Sequence, residues 1–90
     1  MATTKEIAII NKLGLHARAA AKLVHTASRY SSEIKLKKGT EEVDAKSILG
    51  ILLLAAGKGS TVTITASGGD EHEALDSIEQ LFMNRFDEVE

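Results

Sequence analysis

Gly14, His16 and Arg18 alternate within five positions of this 90-residue chain, and they hold the chemistry most worth asking about. They stand where a β-like run around Ile7, Ile9 and Ile10 gives way to an alanine-rich stretch, Ala17 to Ala21, of strong helix propensity. His16 falls near the N-cap of that predicted helix. Ser, Thr, Asp or Asn is the usual choice there, so a histidine is a poor structural choice and hints at chemistry. The first backbone N–H groups of a helix lack intrahelical partners and carry partial positive charge, which makes an anion site of the backbone itself. The nucleophilic form of histidine is the neutral imidazole, and a positive helix end does not favour a second positive charge. Arg18, two residues on, brings a guanidinium to any anion bound there. Together these groups suit a histidine that accepts a phosphoryl group.

A His-x-Arg triplet alone more often marks an exposed histidine at a loop end with an arginine nearby, since short motifs match often. The longer string is more specific. Asn11-Lys12-Leu13-Gly14-Leu15-His16-Ala17-Arg18, followed by a small-residue helix, resembles the active-site segment of the HPr family of phosphocarrier proteins. The Asn-Lys-Leu-Gly lead-in and the ending Leu81-Phe82…Phe86-Asp87-Glu88 look most similar to its nitrogen-related branch, NPr. Family members usually have proline directly after the arginine. Here that position is Ala19, and the chain has no proline at all. Alanine keeps the helix and restores one N–H donor facing the anion site, at some cost in rigidity where loop becomes helix.

The resemblance implies a role and a set of site residues. His16 would accept phosphate from phosphorylated enzyme I, itself charged by phosphoenolpyruvate, and pass it to a histidine of an enzyme IIA-type acceptor of the phosphotransferase system. The implied acceptor atom is Nδ1, with Arg18 and the backbone amides of Ala17, Arg18 and Ala19 as phosphate binders. The implied reaction needs no cofactor, and the chain takes part in phosphotransfer without being a stand-alone catalyst. Ser47 has two readings. It suits a plain N-cap, and it matches a serine that in many family members is phosphorylated by an HPr kinase/phosphorylase. The sequence does not distinguish sugar transport from nitrogen regulation.

Composition narrows the alternatives. Ninety residues make one domain, 1–90, expected to bury about 60–70% of its unfolded surface. A net charge of −2 and only three aromatic residues, Tyr30, Phe82 and Phe86, argue against nucleic-acid binding. The absence of cysteine removes disulfides and thiolate metal sites and fits a cytoplasmic setting. Met1 to Ile10 is too short and too weakly apolar for a signal peptide or a membrane span. The carrier is expected to be monomeric.

The supporting elements follow from periodicity. Thr3–Ile10 reads as a strand, Asn11–Leu15 as a loop, and Ala17–Ser28 as a helix burying Ala20, Leu23, Val24 and Ala27. Ala17, Ala20 and Ala21 are expected to let that helix approach the sheet. Glu33–Lys37 alternates charge with aliphatic, Lys38–Thr40 turns, and Glu41–Ala45 returns as an edge strand guarded by its charges. Ser47 then opens a short apolar helix, Ile48–Leu54. Thr61–Ala66 is a β-branched strand, and a last helix follows Gly68-Gly69-Asp70 with Ala74, Leu75, Ile78, Leu81 and Phe82 as its stripe. The order β-α-β-β-α-β-α predicts an α+β two-layer open-faced sandwich, a four-stranded antiparallel sheet with three helices on one face. The resemblance implies the same fold.

The second helix is apolar nearly all round, so Ile48, Leu49 and Leu52 read either as extra core or as an exposed docking patch beside His16. Lys22, Lys46 and Arg18 would form its basic rim and steer acidic partners. His25, nine residues past His16, is about half a turn round the helix and is expected to point away from the site. His72 reads as solvated, no metal site is expected, and Glu88 and Glu90 read as a mobile acidic tail. The competing function is a small-molecule-binding regulatory α+β domain using the glycines at 57–59 and 68–69.

Overall fold

The structure, a computed structural model, describes residues 2–88. Four strands and three helices follow in the predicted order: β1 (Ala2–Ala8), α1 (Ala17–Ser28), β2 (Glu33–Lys38), β3 (Glu41–Asp44), α2 (Ile48–Leu53), β4 (Thr61–Ser67) and α3 (Glu71–Met83). The sheet is antiparallel throughout, in the order β1-β4-β2-β3. β3 is an edge strand, as its charges suggest, and Lys37 and Lys38 stand opposite its Glu42 and Glu41. Ile34 and Leu36 of β2 and Val62, Ile64 and Ala66 of β4 alternate onto one buried face. Against that face pack Ala19, Ala20, Leu23 and Ala27 of α1 and Ala74, Leu75, Ile78 and Phe82 of α3. No helix among the described residues is long and apolar enough to cross a membrane.

Two expectations need correction. β1 stops at Ala8 rather than Ile10, because Ile9 pairs with the turn before β4, its N–H on the Ser60 carbonyl and its carbonyl on the Gly59 N–H. In α1 it is Ala19 and Ala20 that approach the sheet, while Ala17 and Ala21 face solvent. Leu23, Thr26 and Ala27 fix that stripe, and a 3.6-residue period carries it back to 19 and 20.

The ends of α1 and α3 are tied by Asp70. Its carboxylate accepts from the Ser31 and Ser32 N–H groups at 2.9 and 3.0 Å and from the Ser32 hydroxyl. These bonds, the Ser32 hydroxyl first, hold its pKa down to about 2. A carboxylate whose folded pKa is depressed stabilises the fold above its unfolded pKa, near 3.9, and loses that contribution as pH falls through the folded value. Asp70→Asn is therefore expected to lower the melting temperature at pH 7 and to flatten its decline between about pH 4 and pH 2. Parallel wild-type and variant curves over that window would show that the Asp70 bonds are not made in solution.

Candidate functional site

His16 is the N-cap of α1, with extended backbone (φ −75°, ψ −179°), and its carbonyl accepts the Ala20 N–H at 2.8 Å. Its Nδ1 accepts the Arg18 N–H at 3.3 Å, so the ring caps the helix in the way a serine hydroxyl would. The poor cap expected from residue type is a working one, with a ring nitrogen in the role of the oxygen. The Arg18 side chain starts from an exposed position in the first turn.

The loop before His16 is fixed by a glycine in a left-handed conformation. Gly14 has φ +65°, and a Cβ there would lie 2.6 Å from the Ala56 carbonyl oxygen and 2.7 Å from Gly57 Cα. Leu15 is buried and donates its N–H to that same Ala56 carbonyl at 2.9 Å. The loop after α2 thereby buttresses the loop that carries His16. Asn11, fully buried, closes the turn from below by donating Nδ2–H to the Gly14 carbonyl at 2.8 Å.

The C-terminal segment is the part that sequence reasoning missed. Arg85, Phe86 and Asp87 form one left-handed turn, with φ of 55, 54 and 63°. The turn folds Phe86 into the core, edge-on to Phe82 with ring centroids 4.8 Å apart. Glu88 is consequently no free tail. Its Oε2 meets Nε2 of His16 and its Oε1 accepts Asn11 Nδ2–H at 3.2 Å, with the side chain only 11% exposed. Burial pushes this carboxyl up, but the hydrogen bonds from His16 and Asn11 outweigh it, helped by the charge of Arg18, and hold it below the usual glutamate range. Glu90, the other half of the expected tail, lies outside the described residues. Nothing in local composition marks Glu88 as a partner of a residue 72 positions away. The available signal was Phe86, a large aromatic that a solvated tail would leave in water.

The remaining predicted site residues divide into two groups. Lys22 donates to the Phe86 carbonyl at 2.6 Å and lies 3.7 Å from the Asp87 carboxylate, so it clamps the C-terminal turn to α1. Lys46 donates to the Tyr30 carbonyl at 2.8 Å, bracing the far end of α1. His25 does not turn its back on Arg18: with Lys22 and Asp87 both line one shallow groove along α1. Spacings of four and three residues place 18, 22 and 25 on one stripe, while half a turn from His16 says nothing about Arg18. His72 is exposed in the first turn of α3.

On α2, the Ser47 hydroxyl accepts the Gly50 N–H at 3.1 Å, the N-cap read from the sequence. Ile51 and Leu54 go into the core, whereas Ile48, Leu49, Leu52 and Leu53 are exposed, Leu49 at 69% against 37% for Leu52. Leu13, in the His16 loop, is also exposed, and the Ala56–Leu15 bond joins that loop to the chain leaving α2. These exposed apolar side chains belong to α2 and to the loop that carries His16, two segments joined by that bond.

Comparison with known proteins gives one answer. The family described as "PTS HPr component phosphorylation site" matches residues 3–84. The phosphocarrier protein HPr of Cupriavidus necator is 52% identical over 86 residues, covering 96% of this chain and 97% of that protein. The phosphocarrier protein HPr of Pseudomonas aeruginosa is 51% identical, covering 94% and 96%. The crystal structure of HPr-C-His from Thermoanaerobacter tengcongensis superposes with a TM-score of 0.95 at 43% identity, covering 98% of this chain and 99% of that one.

Proposed function

The chain belongs to the HPr family of phosphocarrier proteins of the phosphotransferase system, and from that premise we propose that His16 is its phosphoryl acceptor, loaded by enzyme I and unloaded by an enzyme IIA-type protein. The observation that carries this reading is the placement of His16 Nδ1 at the first turn of α1, bonded to the Arg18 N–H. When Nδ1 forms its bond to phosphorus, the lone pair that held this N–H is consumed. The Arg18 amide is then released to the phosphoryl oxygens, beside the amides of Ala17 and Ala19, and the Arg18 guanidinium supplies the matching charge. These forces are modest, as a carrier requires, because a phosphohistidine held too firmly would not pass its phosphate on. Incubation with enzyme I, phosphoenolpyruvate and an enzyme IIA is the direct test. Acid-labile, base-stable label should appear on this chain and move to the acceptor. No label from phosphorylated enzyme I would end the proposal.

Docking is assigned to Ile48, Leu49 and Leu52 with Leu13, because these side chains offer exposed apolar area on α2 and on the loop that carries His16. Leu49→Asp is expected to weaken transfer from enzyme I about tenfold or more with little change in stability, since Leu49 is already in water. Leu52→Asp should cost stability as well, because Leu52 is nearly two-thirds buried. Ser47, whose phosphorylation would set about two negative charges in this apolar surface, is read as the point at which a kinase blocks docking. In the same assay Ser47→Asp should keep the cap and lose transfer, while Ser47→Ala should lose about 1 kcal/mol of stability and keep transfer. An aspartate variant that transfers normally reduces Ser47 to a cap.

A further inference from the structure

We propose that Glu88 is a positioning residue for His16, holding the ring through Nε2 so that Nδ1 alone presents a lone pair at the start of α1. The inference rests on the reading of His16 as phosphoryl acceptor. It starts from a consistency between two bonds. An ionised carboxylate only accepts, so the contact between Glu88 Oε2 and Nε2 places the ring proton on Nε2. The Arg18 N–H at 3.3 Å from Nδ1 requires a bare nitrogen there. Both contacts select the same tautomer, and Glu88 itself is aimed by the buried Asn11 through Oε1.

The chain goes to some trouble to put that carboxylate there. Three consecutive non-glycine residues in left-handed conformation are unfavourable, and such segments persist only where surrounding contacts over-determine them. Here the contacts are the burial of Phe86 and the Lys22 bond to its carbonyl. What the turn delivers, one residue later, is Glu88.

The consequence for transfer can be followed atom by atom. The Nδ1 lone pair forms the N–P bond, and the bond from phosphorus to the donor breaks with its electron pair kept by the donor. The Nε2 proton stays in place, so the ring becomes a phosphoryl imidazolium whose new charge faces Glu88. In the release step the N–P electron pair returns to Nδ1, the phosphoryl group leaves for the acceptor, and the ring is neutral again with the same proton on Nε2. A carboxylate fixed against Nε2 thus assists loading and moderates release, the role an aspartate plays behind a catalytic histidine.

The test compares wild type, Glu88→Ala and Glu88→Gln in loading from phosphorylated enzyme I, with nitrogen-15 NMR of the His16 ring. Wild type should show the Nε2–H tautomer. Glu88→Ala should load about tenfold more slowly at saturating donor, as expected for one lost charge-assisted bond, with unchanged half-saturation because Glu88 lies behind the ring. Glu88→Gln, which can still accept from Nε2–H without the charge, should keep the tautomer and fall between the two. A Glu88→Ala protein with wild-type loading rate, or a wild-type ring protonated on Nδ1, overturns the proposal, whatever the variants do to melting temperature. Loading of His16→Ala in the same assay would instead remove the underlying acceptor assignment, so the two failures are distinguishable.

Discussion

His16→Ala is expected to abolish phosphoryl loading from enzyme I while leaving the fold in place. Three histidines are present, and among the described residues His16 alone has a ring nitrogen at a helix start with a backbone N–H directed at it. His25 lines a groove further along α1, and His72 is exposed among the acids that open α3. Neither has a comparable set of donors for a phosphoryl group. The variant loses a long cap bond and the contact to Glu88, so a stability change of about 1 kcal/mol is anticipated. Thermal unfolding and transfer measured together separate the two effects. Acid-labile label on the alanine variant, on His25 or His72, would refute the assignment.

Gly14→Ala should have the largest effect on stability of any single-methyl change near the site, and it should damage function through the same clash. An alanine Cβ would sit 2.6 Å from the Ala56 carbonyl oxygen and 2.7 Å from Gly57 Cα, both backbone atoms that cannot swing aside. The left-handed φ of +65° adds its own cost to any residue with a Cβ. Overpacking and backbone strain together suggest a loss of about 2–5 kcal/mol. Any relief must move the Ala56 loop, and with it the bond that holds Leu15 next to His16. Loading by enzyme I should therefore fall even at temperatures where the variant remains folded, because small displacements of reacting groups are costly. Chemical denaturation with a parallel loading assay checks both halves. A variant within about 1 kcal/mol of wild type would mean that the two loops are not packed as described.

The relation between primary and tertiary information is plain at this site. Element order, sheet class, the Ser47 cap and the junction at His16 were legible because each depends on local rules: period, propensity and cap chemistry act within a turn or two of chain. The glycine–histidine–arginine spacing suited a phosphoryl acceptor, and it was the longer string from Asn11 to Arg18, by resemblance, that pointed to the family. The sequence could pose the question of whether Ile48, Leu49 and Leu52 are core or surface but not answer it, because exposure depends on how far α1 and the sheet edge reach around α2. Ile51 and Leu54 fill that contact, leaving the others in water. Tertiary structure decided the company His25 keeps and the end of β1. Above all it decided the fate of the last described residues. In the left-handed turn at Arg85–Asp87 only Asp87 is of a type that readily adopts that conformation; Arg85 and Phe86 are held in it because Phe86 gains a core position against Phe82 and Lys22 holds the returning carbonyl. From that packing Glu88 arrives at Nε2 of His16 across 72 residues of chain, a contact no local rule reaches.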